Sequence, residues 1–427
     1  MNDAAQARST ADAVARRSYG KLVAFLAAAM HDVAAAEDAL SEAFAAALAD
    51  WPLNGCPANP EAWLLTVARR KGIDGLRRRR SGEVAAAQLQ ILAELDEAAS
   101  TMMGDAAIPD RRLALLFACA HPAIDAGIRA PLMLQAVLGL DAKTIASAFL
   151  VSPDAMGKRL GRAKQKIRQA GIRFAIPAHD ELAERLDGVL DAIYAAFAEG
   201  WSDPGGTDMA RRDLTAEALF LASLVGGLLP QEPEALGLLA CMLHAEARRG
   251  ARRDAGGDYV PLAEQDTALW DAVMISEAEA LLLRASTLGR IGRYQLEAAL
   301  QSAHVERRRS GRTDWTPEVR IYDALLALSG SPVVALNRAL AVAELQGPHA
   351  ALEIVDALAT DGRLVEYQPY WAARASLLAR THAYTEARAA FDIAIGLASD
   401  SAVRRFLQGR RASLPHGATH SPAHFPA

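Results

Sequence analysis

Apolar positions recur at steps of three and four along most of this chain, the spacing that puts one face of a helix into a core. Residues 13–49 read as one helix, with Ala36, Leu40, Phe44, Leu48 and Trp51 forming its apolar stripe. A loop rich in Pro, Gly and Asn follows, "DWPLNGCPANP". It ends in Asn59-Pro60-Glu61, which supplies an N-cap, a proline at N1 and an acid in the first turn of the next helix. That helix runs through Trp63, Val67, Ile73 and Leu76 into a dense run of basic residues. Residues 81–109 have few basic positions and end in "GDAAIPD", which reads as a connector with one weak helix. A second helical block spans about 110–174. A third runs from about 182 to 410, interrupted by "SDPGGTD", "RRDAGGDYVP", "SGRTDWTP", "SGSP" and "QGP". The tail "LPHGATHSPAHFPA" has no periodic pattern and reads as disordered.

The third block holds an internal echo. Ala351, Val355 and Leu358 return in spacing as Ala387, Phe391 and Ala394, an offset of 36 residues. The stretch "AYTEARAAFDIAIGLA" has the small-residue and aromatic pattern of a tetratricopeptide second helix. An ordinary helical bundle would also accommodate it.

Composition agrees with helices nearly throughout: alanine and leucine dominate, aromatics make up 6%, and 52% of the 427 residues are hydrophobic. The expected fold class is therefore all-α. Three scattered cysteines, Cys56, Cys119 and Cys241, offer neither a disulfide framework nor a CxxC pair, which fits a reducing cytoplasm. "RRSYGKLVAFLAAAM" (16–30) superficially resembles a twin-arginine signal. It reads instead as an amphipathic first helix, because "HDVAAAEDALSEAF" continues the pattern without a break. No stretch has the roughly 18 consecutive apolar residues that a membrane span needs.

Charge changes the picture more than composition does. The chain is acidic, at a formal −5, yet residues 1–176 carry 22 Lys and Arg against 18 Asp and Glu. The remainder carries 24 against 33. A polyanion-binding front and a back half with another task would produce that division. The front charge gathers in two places. "VARRKGIDGLRRRRS" (67–81) packs in Arg69, Arg70, Lys71 and the unbroken run from Arg77 to Arg80. Alone it is equally a surface patch, because arginines at a helix end favour the helix dipole without any ligand.

The second gathering has a shape. In "LDAKTIASAFLVSPDAMGKRLGRAKQKIRQAG" a short helix, 141–148, ends in a tight turn and Ser152 caps a new helix with Pro153 at N1. Met156, Leu160, Ala163 and Ile167 fall on one face, while Lys158, Arg159, Arg162 and Lys166 line the other. One face can pack on the preceding helix while the other enters a major groove, as a helix-turn-helix requires. Glu37, Asp38 and Glu42 lie off the apolar stripe of their helix. That face is either merely solvated or made for a basic protein surface.

Catalytic constellations are thin. Cys119 and His121 sit together in "FACAHPA" without further ligands at metal spacing, which favours packing. His244 and Glu246 lack an HExxH partner, and no GxGxxG, GxxxxGK[ST] or GxSxG occurs. No catalytic residue, metal or cofactor is expected.

With both basic helices placed, the chain resembles the extracytoplasmic-function group of bacterial RNA polymerase sigma factors. "DVAAAEDALSEAFAAALADWP" is similar to the family's regions 2.1–2.2, and "NPEAWLLTVARRKGIDGLRRRR" to regions 2.3–2.4. "RLALLFACAHPAI" and the helix-turn-helix segment resemble region 4. "EALGLLACMLHAEARRGARRDAGGDYVPLAEQDTALWD", "YQLEAALQSAHVE" and "SPVVALNRALAVAELQGP" resemble the long, tetratricopeptide-like extension of one subgroup. The resemblance implies region 2 over 1–80, a linker over 81–109, region 4 over 110–176, the extension over 182–410 and a disordered tail over 411–427.

It also implies roles. Glu37, Asp38 and Glu42 would meet the clamp helices of the polymerase β′ subunit, and the β flap would be a further contact. Trp51, Asn54, Asn59, Arg69, Arg70, Lys71, Asp74, Arg77 and Arg78 would bind the melted −10 strand, one base flipped into a loop pocket. Family members often carry Asn where this chain has Arg70 or Lys71. Ser152, Lys158, Arg159, Arg162 and Lys166 would read the −35 duplex. The implied partners are core polymerase and promoter DNA, with an unknown protein or ligand on the extension and no membrane. The competing readings are a ligand-sensing helix-turn-helix regulator that works without polymerase, and an enzyme domain in the extension. The first leaves the 69–80 cluster idle, and the second lacks clustered catalytic residue types.

Overall fold

The computed structural model describes residues 2–79, 111–149, 151–201, 209–311 and 314–415, and in the third helix side chains only as far as Gly72. The expected linker, 81–109, and most of the expected tail lie outside these residues. Among those described the protein is all-α; its only extended pairing is an isolated bridge between Arg253 and Tyr259. The chain forms two compact units, one of residues 1–201 with 209–221, the other of 202–208 with 222–427.

Unit 1 begins with α1 (Asn2–Met30), α2 (Val33–Asn54) and α3 (Pro60–Arg79). The single helix expected over 13–49 is two. His31 takes φ 54, a left-handed conformation that no helix can pass through, and the Asp32 side chain caps α2 by accepting from the Ala35 N–H at 3.2 Å. The residues from Leu22 to Met30, at the end of "RRSYGKLVAFLAAAM", are buried throughout. The apolar stripe of α2 also differs from the expected one. Ala36, Leu40 and Trp51 are buried, but Leu48 is 47% exposed, and Ala43 and Ala47 complete the packed edge. Small residues win there because close helix contacts leave no room for leucine. Asn59 caps α3 as its pattern predicts, accepting from the Ala62 N–H at 3.1 Å.

Five further helices follow in unit 1 among the described residues: α4 (Arg112–Cys119), α5 (Ala126–Leu138), α6 (Ala142–Ala148), α7 (Pro153–Gln169) and α8 (His179–Trp201). The first part of α9 (Met209–Leu228) also belongs to it. The segments expected as separate domains, 1–80 and 110–176, thus share one compact unit. The reason lies at Gly20. A Cβ there would stand 1.8 Å from the Val137 carbonyl oxygen, so α1 lies directly on the backbone of α5. Gly20→Ala is expected to destabilise unit 1 by about 2 kcal/mol or more, because backbone rather than a flexible side chain must move. A shift of the first urea-unfolding transition to lower denaturant measures it.

Unit 2 is built of the rest of α9, then α10 (Pro233–Glu246), α11 (Ala272–Ser286), α12 (Arg293–Ser310) and α13 (Thr316–Ser329). It continues with α14 (Pro332–Leu345), α15 (Pro348–Ala357), α16 (Gln368–Arg380), α17 (Tyr384–Leu397) and α18 (Ser401–Ala412). Glu234 anchors α12 to α10, accepting from the backbone N–H groups of Tyr294 (2.8 Å) and Gln295 (3.1 Å). Those are orphan donors at a helix N-terminus, satisfied by a carboxylate that the dipole also favours.

The 36-residue echo appears in the helix starts. α14 and α16 begin at 332 and 368, and α15 and α17 at 348 and 384. Ala351 and Val355 are buried like Ala387 and Phe391. The echo stops at the third position, because α15 ends at Ala357 and Leu358 opens a 3-10 turn, while α17 continues to Leu397.

Candidate nucleic-acid and partner interface

The α6–α7 pair is built as its sequence predicts. Ser152 Oγ accepts from the Ala155 N–H at 3.3 Å, Pro153 opens α7, and Met156, Leu160, Ala163 and Ile167 are all buried. Lys158, Arg162 and Lys166 are exposed along the outer face. Arg159 is half-buried and donates to the Gly127 carbonyl at 3.1 Å. A cavity of about 480 Å³ opens beside this face, bordered by Asp125, Ile128, Arg159, Arg162 and Lys166. None of Lys158, Arg162 or Lys166 has an ion-pair partner among the described residues. An outer row of uncompensated cations beside a concave surface suits a phosphate backbone.

α7 carries a third face that sequence reasoning missed. Lys164 is ion-paired with Glu37 of α2, their side chains only 11% and 13% exposed, and Arg168 pairs with Asp32 at 3.3 Å. The basic spacing, i to i+4, is visible in the chain, but acids more than a hundred residues away cannot be matched to it by pattern. Burial pushes the Glu37 carboxyl above the usual carboxylate range, and Lys164 pulls it only part of the way back. Glu37 Oε1 has no hydrogen-bond partner in this contact. Desolvation therefore outweighs the attraction, as buried ion pairs often show. Glu37 also helps push the nearby Tyr19 phenol up, after burial, the main cause.

The three acids expected at a protein interface thus have three environments. Glu37 is covered by α7, Asp38 is exposed, and Glu42 lies 3.6 Å from Lys71 in an open pair that contributes little. The residues expected at a melted strand are divided as well. Arg70 and Lys71 are exposed, whereas Arg69 is half-buried, its guanidinium pushed down by burial and by Arg70. Trp51 is 1% exposed and packs edge-on against Trp63 at 5.5 Å, so it is a core residue of α2 and not a loop-surface contact. Asn54 is exposed and donates to Asp50 at 2.7 Å, while Asn59 is committed to its cap. Asp74, Arg77 and Arg78 lie on α3, but their side chains fall outside those described.

Cys119 is fully buried, its thiol pushed up to about 12 by burial, and His121 Nδ1 accepts from the Ala123 N–H at 3.1 Å. Among the described residues no group of three His, Cys, Asp or Glu could hold a metal ion, and no helix is long and apolar enough to cross a membrane.

Residues 14–82 match the family described as sigma-70 region 2, which covers α1 from Val14 onward, α2 and α3. Residues 185–286 match a family of unknown function (DUF6596). The uncharacterized protein R00370 of Rhizobium meliloti (strain 1021) is 42% identical over 376 residues, spanning 87% of this chain and 88% of that protein. No solved structure matches the chain.

Proposed function

Since the chain belongs to the family of that Rhizobium protein and carries a sigma-70 region 2 domain at its N-terminus, we propose that it is an alternative sigma factor of the extracytoplasmic-function type. It binds core RNA polymerase, directs it to promoters and helps open them, without a catalytic site of its own. The observation that carries the reading is the region 2 match over α1–α3. The outward row of Lys158, Arg162 and Lys166 on α7 supports it by offering a second, separate DNA contact. α2 meets the clamp helices of β′ through Glu37, Asp38 and Glu42. Arg69, Arg70, Lys71, Asp74, Arg77 and Arg78 of α3 hold the melted −10 strand, and α7 reads the −35 duplex. Unit 2 is the regulatory extension and works in the cytoplasm with the rest of the chain.

The free protein holds itself closed. Glu37 is expected at the polymerase interface, yet Lys164 of the DNA-reading helix covers it. The desolvation carried by that contact makes it one that a competing basic surface can replace. Core binding would free α7 as it takes Glu37.

The test is transcription in vitro: core enzyme with and without the protein, on a genomic promoter library. Initiated transcripts that depend on the protein are expected, and a truncation after Leu228, at the end of α9, keeps unit 1 whole and tests what unit 2 adds. Failure of both forms to start any transcript contradicts the reading, whereas binding to duplex DNA without transcripts would favour a polymerase-independent regulator.

A further inference from the structure

Unit 2 buries a cation without a counterion among the described residues. Arg248 follows α10 by half a turn, is 8% exposed, and lies against the Trp270 ring at 5.9 Å. Its Nη2 donates to the amide oxygen of Gln301 on α12, and its Nη1 has no partner. Burial pushes its pKa down to about 10. The Arg252 cation pushes it down further, and no carboxylate acts on it. Its neighbours are different. Arg249 pairs with Glu246 at 2.7 Å, Arg253 with Asp400 at 2.8 Å, and Arg307 with the buried Glu318. Burying an unpaired guanidinium costs far more than burying a neutral polar group, so its retention calls for a reason.

The surroundings repeat the imbalance. Trp270 Nε1, Gln265 Oε1, Arg308 Nε and both ring nitrogens of His244 are buried without hydrogen-bond partners. The Glu279 carboxylate stands 3.4 Å from His244 Nε2. Burial and Arg248 push His244 down to about 4, so it is neutral near pH 7 and adds no charge. Contacts join these residues. Trp270 packs with Ala247, Ala251 and Val305, and Arg308, one turn beyond Val305 on α12, donates to the Gln265 carbonyl at 2.7 Å. So many orphaned groups in one place are rare in a folded protein.

We propose that the seam around Arg248 is a binding site for a small oxyanion, a carboxylate or phosphate that also carries a hydrogen-bond donor. Arg248 Nη1, Trp270 Nε1 and Arg308 Nε donate to its oxygens, and Gln265 Oε1 accepts from its donor. The two guanidinium groups give it a charge preference that neutral solutes cannot satisfy. The extension is then a sensor of an anionic metabolite.

The test uses the full chain and no polymerase, so it stands apart from the transcription assay. Thermal unfolding and calorimetry are run with inorganic phosphate, acetate and L-lactate; the first and last arms separate phosphate from hydroxycarboxylate recognition. Phosphate or L-lactate is expected to bind saturably at one site per chain and to raise the melting temperature with concentration, and acetate, which has no donor for Gln265, to bind more weakly. Arg248→Met should lose roughly tenfold or more in affinity. Trp270→Phe removes the N–H while keeping the ring, so it should fold normally and bind about fivefold more weakly. Absence of any response to all three probes overturns the proposal. So does a response that Arg248→Met leaves intact, or, if that variant does not fold, one that Trp270→Phe leaves intact.

Discussion

Lys164→Glu is expected to unlatch unit 1 and to tighten its binding to core polymerase. The substitution sets an acid against Glu37, where both side chains are nearly nine-tenths covered. Breaking a buried pair by removing one partner costs about 3 kcal/mol or more, because the remaining charge stays desolvated. The contact between α2 and α7 should therefore open rather than tolerate two carboxylates. Once open, Glu37 faces solvent and is ready for a basic partner. A closing equilibrium of this size predicts roughly a hundredfold tighter core binding, measured by fluorescence anisotropy against core enzyme. Glu37→Lys combined with Lys164→Glu restores an ion pair of reversed sense. That double variant should recover stability and lose core affinity, since it offers the clamp a cation. If Lys164→Glu lowers stability but leaves core affinity unchanged, the contact is structural packing and no latch.

The second large effect is expected on the outer face of α7. Lys158, Arg162 and Lys166 are exposed and make no ion pair among the described residues, so changing them should alter stability by about 0.5 kcal/mol or less. Replacing all three with glutamate removes three cations and adds three anions facing the duplex. The salt dependence of promoter binding should fall by about one log unit per lost phosphate contact, and affinity by roughly a hundredfold or more near physiological salt. Core binding should not change, because among the described residues none of the three makes a hydrogen bond or ion pair to α2. Equal losses in both assays would show that α7 supports the fold of unit 1 rather than reading DNA. Mobility shifts at several salt concentrations separate the two cases.

The two expectations differ in how far the chain alone foretells them. The outer row of α7 is written locally: Ser152, Pro153, Met156, Leu160, Ala163 and Ile167 fix the start of the helix and its buried side within sixteen residues. Once that side is set, the positions of Lys158, Arg162 and Lys166 follow from 3.6 residues per turn. The Asn59 cap and the 36-residue spacing of α14–α17 were legible for the same reason, since caps and repeats are short-range signals. The break at His31 was not. Nothing in "AAAMHDVAA" marks a left-handed residue, because His is neither Gly nor Pro, and only Asp32 hints at a new start. The stripe of α2 was misread at Leu48 because hydrophobicity ranks leucine above alanine, whereas the space between packed helices ranks them in reverse.

Helix content, the two basic concentrations, the acidic face of α2 and the faces of α7 were thus set by residues within a few turns of one another. The folded arrangement alone brought Glu37 under Lys164, put Trp51 into the core and seated Gly20 on Val137. It likewise left Arg248 buried against Trp270 and Gln301 without an acid among the described residues. Each of these joins residues between 12 and more than a hundred positions apart. Periodicity tells which side of a helix is buried; it carries no information on which other helix covers it. Charge pairing and desolvation are decided by that second helix.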